Sequence, residues 1–497
     1  MHLFALGSNG SGQLGIGHTE DVSSPTECVF ETSEQYHDPL DENDNIIRVV
    51  AGGNHTLLLT AKGGVWAAGW NGDGRCGENI TCTHAQGQDW HRDGEENGPP
   101  TANEKKIPNT ATRQEQGQER DDHEEEGPLL RFRRVRVHDP VSGLTVEHFK
   151  HIAATWEGSL LVASVPKISK KNSLFSSEQI NRRADDQSVS PEEEEDRIYV
   201  LGTGTKGELG TGAQTLHSRA SAPSYITNFP PSPYPSGQES TPKITALATG
   251  MAHTIAILSN GQVYGWGSSR KGQLGPGNKA AKIIWEPTRV DGIPFFARGA
   301  VCGREFTVVW GDDCRRFVLL GDRGMRWGVL GDSLSSSSEL SASSSSPHGD
   351  GKDEGVVEVT AVNGFTDIFA SWNGVYVHAP PNPTGISTSE GDITTIPPRP
   401  GHLIAWGRND RGQHPPPNLP PPAMLAVGSE HVLALLEDGT VAAFGWGEHG
   451  NCGSETDARG NVAGTYNVMS LPADARTAGG RVVGVGVGCA TSWLIVS

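Results

Sequence analysis

The chain has 497 residues, 64 of them glycine, and a formal net charge of −19. That charge excludes a protein built to coat a nucleic-acid backbone, which needs basic surface, and no run of eighteen apolar residues exists to cross a membrane as a helix. Glycine at this level fits many tight turns rather than helices, because glycine reaches φ > 0 at low steric cost.

Residues 2–6 read as a strand running into Gly7-Ser8-Asn9-Gly10-Ser11-Gly12-Gln13-Leu14-Gly15. Met1 leads almost directly into that strand, so no signal peptide is expected. Ser24-Pro25-Thr26 follows, and similar Pro-led segments stand at 222–226 and 286–290. These read as edge strands, where proline is tolerated. Residues 46–70 form a hairpin pattern: a strand from His55 to Thr60, a turn at Lys62-Gly63-Gly64, and a return to Gly69. The unit recurs around Asn260-Gly261 and Asp438-Gly439, the strongest short-range hairpin signals, because both central residues need φ > 0.

From 78 to 128 the pattern lapses into Glu, Gln, Asp and Gly, which predicts a disordered insertion. Residues 129–137 carry several arginines on a strand pattern, as an edge strand guarded against aggregation would. A second insertion, 166–196, interrupts a hairpin of 159–163 with 197–201, and a third, 332–355, is serine-rich. The Pro-rich stretches 380–400 and 415–422 read as rigid, exposed connections.

Two elements alternate along this order. The glycine loop starts at Gly7, Gly69, Gly202, Gly267 and Gly445, with weaker copies at Gly321 and Gly407. The second element is a Gly-x-x-His turn before a β-rich run, clear at Gly52-Gly53-Asn54-His55, Gly250-Met251-Ala252-His253 and Gly428-Ser429-Glu430-His431. Degenerate copies stand at Ala153-Ala154-Thr155-Trp156, Cys302-Gly303-Arg304-Glu305, Asn363-Gly364-Phe365 and Gly486-Val487-Gly488-Cys489. Seven copies of each imply seven small sheets in a closed all-β arrangement, residues 1–497 forming one domain with disordered insertions. Residues 481–488 and 491–496 open a repeat whose next strand and glycine loop are missing there, and residues 2–15 supply them. The predicted closure is antiparallel pairing of 491–496 with 2–6, with Trp493 and Ile495 on one face and Leu494 and Val496 on the other.

The alternating glycine–Gln–Leu–Gly loop and Gly-x-x-His turn resemble the regulator of chromosome condensation family, a seven-bladed β-propeller of four-stranded blades. The chain starts at a strand, has Ala51-Gly52-Gly53-Asn54-His55 in the second blade and Gly445-Trp446-Gly447-Glu448-His449-Gly450-Asn451-Cys452-Gly453 near the end. That set resembles the fungal alpha-tubulin suppressor proteins. The resemblance implies a non-enzymatic partner of a small CSL-type zinc-binding protein. It implies service to two pathways: Elongator-dependent modification of tRNA wobble uridines and diphthamide synthesis on elongation factor 2. An alternative is a guanine-nucleotide exchange factor for a small Ran-like GTPase, as in the better-known branch. The acidic insertion after the second blade and the serine-rich one after the fifth depart from the family pattern. The basic N-terminal tail of the chromatin-bound branch is absent.

Chemical motifs are sparse. Gly202-Thr203-Gly204-Thr205-Lys206-Gly207 fits a dinucleotide fingerprint, but no helix pattern follows and it lies in register with the other glycine loops. His55, His253 and His431 occupy equivalent repeat positions and read as structural, each bonded within its blade. Neither a catalytic constellation nor a cofactor or metal site is expected. Seven irregularly spaced cysteines point to a reducing compartment, the cytoplasm, with the nucleus second. Cys76 and Cys452, which stand where Leu14 stands in the first loop, read as small buried residues, and Trp66, Trp266 and Trp406 as core. The candidate partner-binding residues are those that break the repeat: Trp70 and Trp446, with Asn71, Glu448 and His449 beside them. Interface hot spots favour tryptophan; the alternative is that each indole packs against the next blade.

Overall fold

The computed structural model describes residues 1–31, 44–77, 127–167, 194–220, 222–230, 241–321, 340–344, 356–361, 364–379, 385–389, 392–396 and 401–497. Nearly all of each expected insertion lies outside the described residues. Met1–Glu78 and Glu126–Ser497 form one compact unit.

Apolar runs separated by glycine turns produce antiparallel sheets, and the sheets repeat. The first blade orders Val482–Val487, Thr491–Val496, His2–Gly7 and Val22–Glu27 from the axis outward. The second uses Ile46–Ala51, His55–Thr60, Val65–Gly69 and Leu129–Arg134. The third has His151–Ala154, Gly158–Pro166 and Glu194–Thr203, with His217–Ser218 and Ser224–Tyr225 sharing the outer place. The fourth has Ile244–Thr249, His253–Leu258, Val263–Ser268 and Ile283–Arg289. The fifth has Ala297–Cys302, Phe306–Gly311, Arg316–Gly321 and Val356–Ala361, with Leu340–Ser344 outside them. The sixth has Asp367–Ser371, Gly374–Ala379 and His402–Gly407, and the seventh Pro422–Val427, His431–Leu436, Val441–Trp446 and Asn461–Met469. The inner strand of each blade contacts that of the next, and the seventh contacts the first. The result is a closed seven-bladed β-propeller, as the repeat count predicts.

Closure is by the chain ends. His2 pairs with Val496, Phe4 with Leu494 and Gly7 with Thr491, in unbroken antiparallel register. Side chains alternate as a strand requires. Leu3, Ala5, Trp493 and Ile495 join a core with Leu58, Trp66 and Phe132 of the second blade. Phe4, Leu6, Leu494 and Val496 join one with Val432, Val441 and Phe444 of the seventh. Trp66, Trp266 and Trp406 are buried on strands, and Cys76 and Cys452 are buried in their loops, as expected.

Several boundaries differ from the sequence reading. The acidic insertion falls inside the second blade, before its outer strand Leu129–Arg134, rather than after the blade. The stretch 332–355 includes the strand Leu340–Ser344, which pairs with Val356–Ala361. The hairpin expected to stop near residue 163 runs on to Pro166, opposite Glu194. Two strands, Gly385–Ser389 and Asp392–Ile396, pair within the Pro-rich stretch read as a connection. The inner strand of the sixth blade is Asp367–Ser371, so its turn is Trp372-Asn373 and not the Asn363-Gly364-Phe365 copy. That turn lacks both the glycine and the histidine of the repeat, so no motif marked it. Pro287 falls where the register of the fourth blade's outer strand shifts, a bulge that needs no ladder donor.

Candidate functional site

Inner-strand turns and glycine loops share one face of the propeller. Each loop is fastened to the turn of its own blade: Ser8 N donates to Ala490 O (2.8 Å), Trp70 N to Asn54 O (2.8 Å) and Trp446 N to Glu430 O (2.9 Å). The opening glycine must be glycine. At Gly7, φ is 119°, and a Cβ would meet Ala490 O at 2.3 Å. Inside the loops, Gln13, Gln273 and Gln413 accept from the backbone N–H two residues before them. The sixth loop, degraded in sequence, keeps this bond and a φ of 80° at Gly412. Gly202–Gly207 adopts the same loop form, with positive φ at both ends.

The turn histidines tie blade to blade, where the sequence reading kept each within its own. His55 Nε2 meets Ser159 Oγ of the third blade at 3.0 Å, and that hydroxyl donates to Arg75 O at 2.8 Å. His253, Thr307 and Gln273 repeat the arrangement, as do His431, Ser492 and Asn451. Each hydroxyl proton goes to the loop carbonyl, so the histidine donates through Nε2–H. Burial pushes the pKa of His55 down to about 3 and those of His253 and His431 to about 4. The ring lies over its own glycine: a Cβ on Gly52 would meet His55 Cε1 at 2.3 Å and Thr155 O of the next blade at 2.4 Å. Those two contacts account for the Gly-x-x-His spacing.

Of the candidate residues, three come together. Trp446 is partly exposed; its Nε1 donates to Glu448 Oε2 at 3.1 Å, and its ring meets His449 edge-on with centroids 5.3 Å apart. Arg411 of the sixth loop lies 4.8 Å over the indole and also pairs with Glu430 Oε2 at 2.9 Å. Arg408 pairs with Glu430 as well. Glu430 is buried, and burial raises its carboxyl pKa against the pull of the two arginines. His449 Nδ1 meets Asp21 Oδ2 of the first blade at 2.9 Å. The patch therefore runs across the sixth, seventh and first blades and holds its indole from two sides. Trp446 packs on the preceding blade, not the next.

Trp70 is 40% exposed on the second blade, apart from this cluster. Asn71 is not a surface residue at all. It is buried, donating to Gly77 O and accepting from Cys76 N, so it braces its own loop. Sequence reasoning missed Arg408, Arg411, Glu430 and Asp21. The signal was present in the sixth loop, where Arg408 stands at a place that Ser8, Trp70, Thr203, Ser268 and Trp446 fill in other loops.

On the same face, a cavity of about 140 Å³ opens on the axis, lined by the seven turns. Trp156 and Trp372, from blades on opposite sides, meet there with centroids 5.7 Å apart, and Arg304 lies 5.9 Å over Trp372. Backbone bonds link the turns around it: Gly53 N to Trp156 O, Trp156 N to Met251 O, Arg304 N to Trp372 O and Trp372 N to Ser429 O. Among the described residues no three His, Cys, Asp or Glu side chains are grouped to hold a metal ion, and no helix is long and apolar enough to cross a membrane.

Fold and site define a closed propeller whose blades are locked by glycine loops and turn histidines. Models of the regulator of chromosome condensation (RCC1) repeat match residues 2–59 and 260–310, and 46–75 and 244–273. An RCC1 repeat-containing protein of Schizosaccharomyces pombe is 26% identical over 99% of this chain and 98% of its own length. The secretion-regulating guanine nucleotide exchange factor of Mus musculus is 23% identical, over 95% of this chain and 79% of the relative. Among solved structures, Prp20p of Saccharomyces cerevisiae, described with binding properties to Gsp1p and histones, aligns at a TM-score of 0.57. It is 16% identical, over 100% of this chain and 91% of that one. The chain thus carries stretches that match the RCC1 repeat, and it is similar to RCC1-repeat proteins along nearly its whole length.

Proposed function

We propose that this chain is a non-enzymatic propeller subunit that binds a partner protein through its glycine-loop face, in the cytoplasm. The observation that carries this is the Trp446 patch, a partly exposed indole held between Arg411 and His449 across three blades. An indole already fixed in place loses little freedom on binding, which is how interface hot spots gain affinity. The partner we propose is a small CSL-type zinc-binding protein, with the pair supporting Elongator-dependent wobble-uridine modification and diphthamide synthesis. The resemblance of the Ala51–His55 and Gly445–Gly453 motifs to those of the fungal alpha-tubulin suppressor proteins supports that choice. The second reading, nucleotide exchange on a small Ran-like GTPase, is favoured by the whole-chain relative named as an exchange factor.

Calorimetry with a recombinant CSL-type zinc protein, and release of fluorescent GDP from a Ran-like GTPase, separate the two. Saturable binding to the zinc protein, without faster GDP release, is the expected result. Trp446→Ala should weaken binding by about thirtyfold, the size of a hot-spot loss of about 2 kcal/mol, while the propeller stays folded. Faster GDP release with no zinc-protein binding would replace the first reading by the second. Unchanged affinity in Trp446→Ala and Glu448→Ala would move the site elsewhere.

A further inference from the structure

The axial channel has a second end, away from the glycine loops, where the inner strands begin. Five inner strands carry an unpaired, bulged residue at their second position: Ile47, Thr245, Arg298, Ala423 and Val483. A bulge re-aims a side chain out of the ladder. In the seventh, first and second blades, which are neighbours, three large apolar residues are exposed at this end beside Arg48: Met424, Val483 and Ile47, at 46%, 44% and 59%.

Arg48 follows Ile47. Its Nη2 donates to Leu247 O at 3.4 Å, on the inner strand of the fourth blade. The second and fourth blades are not neighbours, so the guanidinium spans the channel past the third. One long bond serves a group with five N–H donors. The other titratable groups on the inner strands do not compensate it. His151 is bonded to Ile244 O at 3.1 Å and its pKa is lowered, first by burial, so it is neutral. Arg298 adds positive charge. Asp367 of the sixth blade faces His378, and burial raises its carboxyl pKa. Among the described residues no carboxylate forms an ion pair with Arg48. Water reaches the side chain, yet the surrounding strands still lower its pKa by burial.

We propose that this end of the channel binds a carboxylate carried on a short apolar stem, Arg48 taking the carboxylate and Ile47, Val483 and Met424 the stem. A guanidinium fork matches two carboxylate oxygens, and apolar side chains beside it favour a carboxylate that carries an apolar stem. The ligand is either a free monocarboxylate or the C-terminus of a polypeptide ending in an apolar residue. This site is independent of the Trp446 patch on the other face.

Calorimetry on the full chain tests it with hexanoate and hexanamide, and with acetyl-Gly-Ser-Val-Leu as free acid and as amide. At least one acid should bind saturably at millimolar concentration, and its amide at least about tenfold more weakly. Arg48→Gln should lose about tenfold with an unchanged melting temperature, and Arg48→Lys should keep part of the affinity. The tighter of hexanoate and free-acid peptide identifies the source. If Arg48→Gln fails to fold, Ile47→Asp is read instead, and its carboxylate at the rim should abolish binding of either acid. Binding of neither acid, equal binding of acid and amide, or unchanged affinity in Arg48→Gln or the substituted Ile47→Asp overturns the proposal.

Discussion

The second and sixth blades perform the same task with different chemistry. In the second, the loop carbonyl of Arg75 is held by Ser159 of the third blade, which His55 in turn orients. In the sixth, no turn histidine exists, and the next blade offers Val432 at the place of that hydroxyl. There Tyr376 of the same blade donates to Gln413 O at 3.0 Å. The third loop uses another donor: Trp266 Nε1 of the fourth blade donates to Glu208 O at 2.9 Å. What is kept is satisfaction of a buried carbonyl where two blades meet, since an unpaired one costs about 1–3 kcal/mol. The residue that supplies the donor is free to change.

The largest effect expected is from removing residues 490–497. It deletes the strand shared between chain ends, with the buried Trp493, Leu494 and Ile495. At about 1.5–3 kcal/mol for each such side chain and about 1 kcal/mol per ladder bond, the loss approaches a whole domain's stability of about 5–15 kcal/mol. The truncated chain should be aggregated or unfolded by sizing chromatography and circular dichroism. A monomer that melts like the intact chain would refute terminal closure.

Acid should come next, and should act through the histidine blades. His55, His253 and His431 have folded pKa values far below the ordinary 6.5. Well above pH 6.5 they are neutral folded or unfolded and add nothing to the pH dependence. As pH falls below 6.5 the unfolded chain takes up protons that the folded one refuses, so stability drops until the folded values near 3–4 are reached. Between pH 7.5 and 5.5 the three together should cost about 4 kcal/mol. His151, His378 and His414 are pushed in the same direction. Glu208 and Glu430, raised by burial, work the other way as pH falls through their folded values. Urea unfolding at the two pH values measures the sum, and a flat profile would mean these histidines titrate freely.

The smallest effect isolates the sixth blade. Tyr376→Phe removes one donor from Gln413 O and leaves the ring packed, so it should cost about 1–3 kcal/mol and leave the acid profile unchanged. Urea unfolding of this variant at both pH values checks both expectations.

Much of this was legible in the residues. The glycine loops, hairpin turns and incomplete repeat at the chain ends fixed the blade number and the closing strand, because each depends on short-range backbone geometry. What could not be read is what acts between blades. Gly-x-x-His showed that the histidine mattered, but its partner lies 104 residues on for His55 and 61 for His431. Asn71 reads as a surface residue because its bonds to Cys76 and Gly77 exist only once the loop closes. Trp446 and His449 stood out as departures from the repeat. Arg411 and Asp21, which hold them, come from two other loops and stood out only as charges. Arg48 is a common residue in an ordinary strand, and only the ring makes its position unusual.

The central claim is that a histidine of one blade and a hydroxyl of the next act as a unit on the loop carbonyl between them. A double-mutant cycle of His431→Leu and Ser492→Ala, read by urea unfolding at pH 7.5, tests it directly. The account predicts that the two losses fall short of additivity by about 1 kcal/mol or more, within the 0.5–3 kcal/mol seen for residues sharing one network. Additive losses would show that His431 and Ser492 contribute separately and that no relay joins the blades.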